Sequence, residues 1–305
     1  MGPDPRHLLT ASTARTEPEG DAVELLLRPG WFAVRRDDRT LQVGLDAPHR
    51  ALLPDIPPVR ALLARLTGPG WTPPGAGEPH PDPATTHALA TLGEADLLVD
   101  SRATRADAAR HGAAAATRAT ARSAGSVAVR GPGELRRQAE SLLVAAGVRV
   151  HRDGDIDEPL LHVLLHTGEP DRAALADLVR EDRPHLLVVA REACLEVGPL
   201  VAPGLTACQR CVDCHRAETD PRRHLVVEQL ARAAAAGAIV PADPVLWQLA
   251  LAWAARDAAR YLEGDAPATW SAGVVVTAGG VPHVQHWPRH PACGCAWQVG
   301  LDHTG

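Results

Sequence analysis

Two close pairs of thiols, set far apart in the chain, constrain this sequence more than any other feature. One pair is Cys208-Gln209-Arg210-Cys211 and the other is Cys293-Gly294-Cys295, preceded by His290-Pro291-Ala292. Each pair fits on one tight turn. A zinc ion held by all four thiolates clamps two distant turns together in tetrahedral geometry, lowers the thiol pKa values and adds folding free energy. Ordinary buried cysteines or disulfides are the competing reading. CxxC together with CxC, in a chain without a secretion signal, favours zinc.

Six cysteines are present, so two are spare. Cys194 reads as a small buried hydrophobe. Cys214 extends the first pair to Cys208-x-x-Cys211-x-x-Cys214-His215, which admits Cys214 or His215 as substitute ligands. Arg210, His215 and Arg216 could also lower the pKa of Cys214 enough for a catalytic thiol, although no base and orienting group are recognisable around it.

With 305 residues, 45% of them hydrophobic, the chain can bury a sizeable core and build two domains. A net charge of −6 argues against a nucleic-acid-binding protein, which normally carries a basic face. All 31 basic residues are arginine, so a P-loop lysine, Schiff-base chemistry and a Ser-Lys dyad are excluded. The start Met1-Gly2-Pro3-Asp4-Pro5-Arg6 has no signal-peptide pattern, and the longest strongly apolar stretch, Val245 to Ala255, is too short to span a bilayer. A cytoplasmic protein with reduced thiols is the expectation, with no membrane partner.

Residues 1–20 are polar and proline-bearing, and are expected to be disordered. From 21 to 102 short strands and helices alternate. Val23–Leu27, Trp31–Arg35 and Thr40–Leu45 read as strands, with Asp37-Asp38 as a hairpin turn. Val59, Leu62, Leu63 and Leu66 have helical spacing, His87–Leu92 is helical, and Ala95–Asp100 closes the unit as a strand. This suits a small winged-helix-like α+β module. Residues 103–124 are rich in alanine, arginine and threonine and read as a linker.

From 125 to 305 the pattern is α/β. Ser126–Val129 is a strand, and Gly131-Pro132-Gly133 a turn. Leu135, Ala139, Leu142, Leu143 and Ala146 form one helix face before Val148–Val150. Strands at Leu160–Leu165 and Leu186–Val189 flank a helix at Ala173–Asp182. The alternation predicts a Rossmann-like, doubly wound and largely parallel sheet. Leu225–Ala236 is helical, and Asp243 and Pro244 open a longer helix ending at Gly264. Val274–Val276 and Val281–Gln285 form a closing hairpin that delivers the chain to Cys293.

A glycine turn at the start of such a sheet cradles a phosphate at the helix N-terminus. Here Gly131-x-Gly133-x-x-Arg136 holds arginine at the third glycine position, and Pro132 and Glu134 add rigidity and negative charge. Asp153 or Asp155 stands where the acidic residue after the second strand would lie. The expectation is a degenerate nucleotide loop at Gly131 and Gly133 that does not use ATP.

With these pieces in order the chain resembles the ThiF/MoeB-like family, relatives of ubiquitin-activating enzymes. More narrowly it is similar to the ThiF-like docking proteins of azole- and azoline-peptide (bacteriocin) biosynthesis, which partner a YcaO-type cyclodehydratase. The resemblance rests on Val197-Gly198-Pro199-Leu200-Val201-Ala202-Pro203-Gly204 running into Cys208-x-x-Cys211, Asp213 and His215-Arg216. Asp220-Pro221 and His290-Pro291-x-Cys293-x-Cys295 complete it. It implies a leader-peptide recognition module at the N-terminal end, whose hairpin accepts the leader of a precursor peptide as an added strand. Carried onto this chain, the edge strand is Leu41 to Leu45, through Leu41, Val43 and Leu45, facing Leu62 and Leu66 of the Val59–Leu66 helix; those leucines could equally fill a small core. Adenylating members carry an arginine after the second strand and a later aspartate. Asp155-Ile156-Asp157-Glu158-Pro159 and His166-Thr167-Gly168-Glu169-Pro170 lack them here. The resemblance therefore implies a non-catalytic recruiter, and a homodimer is compatible with it. An active adenylating enzyme and a nicotinamide- or flavin-dependent oxidoreductase are the alternatives.

Overall fold

Val59, Leu62, Leu63 and Leu66 recur at helical spacing, and helix α1 (Pro57–Leu66) buries all four. Around it the computed structural model, which describes residues 23–74 and 80–295, builds one of two units that meet in sequence at Thr120 and Ala121. The N-terminal twenty residues, expected to be disordered, lie outside the described residues.

In the first unit β1 (Leu25–Leu27) pairs antiparallel with β5 (Leu98–Asp100). Strands β2 (Ala33–Arg35), β3 (Thr40–Val43) and β4 (Ala51–Pro54) form a three-stranded antiparallel sheet in that order. Helix α2 (Pro83–Glu94) starts where the Asp82 carboxylate accepts the N–H groups of Ala84 and Thr85. Leu27, Val43, Leu53, Leu62, Leu66, Leu92 and Leu97 fill the core between these elements.

Strand β3 is the centre of its sheet and not an edge, which corrects the expectation for Leu41–Leu45. Residues Ala51–Pro54, short and ending in proline, carry no clear strand signature, yet they pair along the second side of β3. Val43, Leu62 and Leu66 are buried in the core and offer no surface to a peptide. Leu41 packs partly against the same core, while Leu45 lies beyond the strand and is 77% exposed. The stretch 103–124, read as a linker, contains α3 (Arg105–His111), a short 3-10 turn and α4 (Ala115–Ala124). Ala108 and Ala115 pack on Val99. The buried Arg28 guanidinium donates to the carbonyl of Ala109, which ties α3 down.

The second unit is a mixed α/β fold. Its elements in order are β6 (Ser126–Arg130), α5 (Gly133–Ala145), β7 (Arg149–Val150), β8 (Leu161–His166), α6 (Arg172–Arg180), β9 (His185–Arg191), β10 (Cys194–Val201), α7 (Gln209–Thr219), α8 (Arg223–Ala235), α9 (Pro244–Leu262), β11 (Ala272–Thr277) and β12 (His283–His286). The seven-stranded sheet runs β12-β11-β10-β9-β8-β6-β7. Strands β7, β6, β8 and β9 are parallel, whereas β10, β11 and β12 alternate in direction. The sheet is therefore half parallel, a correction to the largely parallel expectation. The tight turn at Glu192-Ala193 pairs Arg191 with Cys194 and turns β9 back as a hairpin, leaving no length for a crossover helix.

Both faces of the parallel strands are covered, as strand periodicity requires. Val163, Leu165, Leu186 and Val188 pack under α5 and α9, while Leu164, Leu187 and Val189 pack under α6.

Candidate metal centre and the strand-end crevice

Strand β12 returns the chain through the buried Trp287 to the second cysteine pair, beside the start of α7. Cys208 is the N-cap of α7 and Cys211 lies in its first turn. The Cys208 sulfur is 3.9 Å from that of Cys211 and 3.5 Å from that of Cys293, and the Cys211 sulfur is 3.4 Å from that of Cys295. All four lie within 4.8 Å of one another. Zinc–sulfur bonds of about 2.3 Å in a tetrahedron place the sulfurs about 3.8 Å apart, so the four thiols could hold a metal ion such as zinc.

The local backbone explains the arrangement. Gly294 adopts a φ of 79°, a conformation that glycine takes readily, and this folds Cys293 and Cys295 onto one turn. The Cys293 N–H donates to the His290 carbonyl, and the Cys211 N–H to the Cys208 carbonyl. Cys208 donates its S–H to Cys211, which pulls Cys211 down to about 4. The same hydrogen bond and burial push Cys208 up, and burial pushes Cys293 up to about 12. Cys194 opens β10, away from this cluster, and Cys214 stands one turn further along α7; burial raises both thiols.

His215, Glu218 and His290 form a second group on the outer side of α7, also within 4.8 Å. Its hydrogen bonds describe a clasp. Ala292 donates its N–H to His290 Nδ1 at 3.1 Å, which leaves the ring proton on Nε2, 2.9 Å from the Glu218 carboxylate. His215 Nε2 is 2.9 Å from the Pro288 carbonyl. With His290 Nε2 engaged as a donor to Glu218, these side chains tie the cysteine loop to α7.

The inner side of α7 carries charge. Arg172 pairs with Asp213 at 2.7 Å and with Glu169 at 2.9 Å, and Glu169 pairs with Arg191 at 2.6 Å. Arg191 contacts Glu196, which accepts from Arg216 at 2.9 Å on both oxygens. Asp213 and Arg216 share α7, so six side chains of alternating sign close a ring that joins α6, β9, β10 and α7. Burial opposes the charge on Glu169, but Arg191 and Arg172 outweigh it and hold the carboxyl below its ordinary range.

Strand order reverses between β7 and β8 on either side of β6, and the crevice at these strands' carboxyl ends is where α/β sheets bind ligands. Here it is a cleft of about 270 Å³ bounded by Pro132, His166, Gly168, Glu169 and the alanine face of α8. Gly131, with φ of 146°, is needed there, since a Cβ would meet Leu165 at 2.7 Å. Gly133 has room around it and opens α5 after Pro132. Arg136, at the third glycine position, is exposed and turns outward toward Glu140 at 3.8 Å. Asp155 accepts the Arg152 N–H within its own exposed loop. Burial, then Arg172, lowers the His166 pKa.

The structure thus brings Cys208, Cys211, Cys293 and Cys295 together and separates them from Cys194. Sequence reasoning missed the ring because the Glu169–Arg172 stretch, the Arg191–Glu196 hairpin and α7 are separate segments, and nothing in their spacing says that they meet. Asp213 and Arg216 were visible only as part of a motif.

No family model and no curated protein sequence matches the chain. Solved structures share its fold. The heterocyclase TruD superposes with a TM-score of 0.67 at 18% identity, over 90% of this chain and 43% of TruD. A heterocyclase in complex with substrate and cofactor gives 0.67 at 16%, over 90% and 39%. MccB of E. coli gives 0.55 at 12%, over 92% and 99%. The chain spans less than half the length of the heterocyclases it matches, and it shares with all three an overall fold.

Proposed function

We propose that this protein is a zinc-containing docking protein of ribosomal-peptide biosynthesis. In this reading it grips the leader of a precursor peptide and delivers the core to a separate YcaO-type cyclodehydratase for azoline or azole formation. Likeness to two heterocyclases over nine-tenths of the chain carries the reading. This chain covers 43% and 39% of those longer proteins, and in this reading the ring-forming chemistry belongs to the YcaO-type partner.

The N-terminal unit supports the peptide role, as a winged-helix-like module. Among the described residues β2 is an edge of its sheet with no further strand beside it, and the Arg36 N–H donates to the Thr40 carbonyl. By the alternation of an antiparallel ladder, Ala33 and Arg35 turn their N–H and C=O groups outward. Phe32 and Val34 are exposed beside that edge, 72% and 56%, and Leu52 continues the outer face across Gln42. An extended leader adds main-chain hydrogen bonds to β2 and places apolar side chains on this face. The opposite edge, β4, ends in Pro54 and runs into Pro57-Pro58, which lack donors.

The zinc is structural and held by Cys208, Cys211, Cys293 and Cys295, consistent with a reducing, cytoplasmic setting. No helix among the described residues is long and apolar enough to cross a membrane. ATP is assigned no role, because the crevice carboxylate Glu169 is committed to two arginines and α8 lies over the cleft. Fluorescence anisotropy with a labelled leader peptide tests the proposal on the full chain. Binding of leader but not core supports it, and no binding to a cognate precursor overturns it.

Likeness along 99% of MccB, which has also been solved with ATP, favours a second reading, an ATP-dependent adenylating enzyme acting on a peptide. Peptide-dependent ATP–pyrophosphate exchange would establish it.

A further inference from the structure

Helix α7 is anchored in a way that links the cysteine site to the strand-end crevice. Its buried side chains are Gln209, Cys211 and Val212, so Val212 is the one aliphatic group among them. Surface helices are ordinarily seated by an apolar stripe. Here the cysteine site holds the first turn, and the ion pairs of Asp213 and Arg216 hold the next two. On the far side of the same ring, Glu169 lines both the crevice and a smaller cavity next to it, and Arg191 lines that smaller cavity.

We propose that the four-cysteine site and the ion ring are one coupled unit, in which bound metal seats α7 and α7 in turn fixes Glu169 in the crevice wall, through Arg172 on one side and Arg191 on the other. The inference rests on the zinc reading above. Its physical basis is the cost of an uncompensated buried charge. Glu196 and Glu169 are buried, and each is neutralised by two arginines. If the first turn of α7 is released, Asp213 and Arg216 move with it as parts of one short helix. Arg172 and Glu196 then lose a partner, and Glu169 and Arg191 must re-pair or take up water. The crevice loop His166–Arg172 loosens as a result. Coupling of this kind is reciprocal, so an intact ring also helps to retain the metal.

Hydrogen–deuterium exchange on the full chain, zinc-loaded and after chelation, tests the proposal. Chelation is expected to speed amide exchange about tenfold or more in residues 166–172 and 191–196, while β6 stays protected. Glu196 pairs with Arg191 and Arg216 and not with a metal-site cysteine, yet Glu196→Gln is expected to bind zinc about tenfold more weakly in competition with a chromogenic chelator. Arg216→Gln is the milder variant if Glu196→Gln does not fold, and the wild-type comparison needs no substitution. Chelation that opens only residues 205–216 and 288–295, with 166–172 unchanged, overturns the coupling and leaves the zinc reading standing. A protein that takes up no zinc overturns both.

Discussion

The sulfur of Cys211 lies 3.4 Å from that of Cys295, although 84 positions separate them in sequence. The first belongs to the opening turn of a helix and the second to a glycine-bent loop after the edge strand of the sheet. The two turns are tied by the His290–Glu218 clasp, by His215 at the Pro288 carbonyl, by Arg289 at the Gly204 carbonyl and by Trp287 packed in the same cluster, and a bound metal would add a direct bridge between the sulfurs.

The first prediction separates those contributions. Wild-type protein is expected to contain one zinc per chain by elemental analysis, and Cys293→Ser/Cys295→Ser essentially none. Losing the clamp is expected to cost on the order of 3–5 kcal/mol of unfolding free energy. His290→Gln should retain zinc but release it faster, because its ligands remain while their loop loses its tie to α7. Full zinc in the double serine variant would remove these cysteines as ligands.

Metal affinity should fall steeply with acid. Only thiolates bind, and in the metal-free site Cys208 is pushed up and Cys293 stands at about 12. Both must lose a proton on binding at neutral pH, so affinity is expected to change by about a hundredfold or more per pH unit around pH 7, falling as pH falls. Competition with a chelator of known proton dependence, between pH 6 and 8, measures the slope. A pH-independent affinity would mean that the ligands are not these thiols.

Two histidines make the second unit acid-sensitive on their own account. His162 and His185 are neighbours on β8 and β9, 2% and 0% exposed, and burial lowers both pKa values, His162 to about 4. An unfolded histidine titrates near 6.5. Between these values the unfolded chain binds protons that the folded chain refuses. Stability present above about 6.5 is therefore lost as pH falls toward 4, by about 3 kcal/mol for His162. Urea unfolding at several pH values should show that loss, and His162→Gln should flatten it. An unchanged slope in the variant would place the acid sensitivity elsewhere.

The peptide edge can be probed by proline position. Ala33→Pro removes an outward N–H from β2 while leaving the β2–β3 ladder intact, and is expected to weaken leader binding about tenfold or more with little change in stability. Val34→Pro breaks the ladder to Gln42 and should destabilise the unit as well. Anisotropy together with thermal melts distinguishes the two. Wild-type affinity in Ala33→Pro would move the leader off this edge.

Several features were legible without coordinates because they are written in local chemistry. The Val59–Leu66 helix, the β6–α5–β7 opening, the Asp243-Pro244 helix start and the closing hairpin all follow from spacing and caps. The four cysteines could be paired in sequence because zinc sites draw close pairs from each of two turns. Other features depended on which segments meet. Strand β10 carries Gly198-Pro199 and a register shift between Val197 and Leu200, so its periodicity is broken. Its direction followed from a two-residue turn, and it made the sheet mixed. The pairing of β4 moved the open edge from β3 to β2, because a strand's place in a sheet is set by its neighbours and not by its own residues. The ring of Glu169, Arg172, Arg191, Glu196, Asp213 and Arg216 is the clearest case. Each charge alone reads as a solvated surface residue, and only the folded sheet brings them close enough, and buries them enough, for their signs to matter.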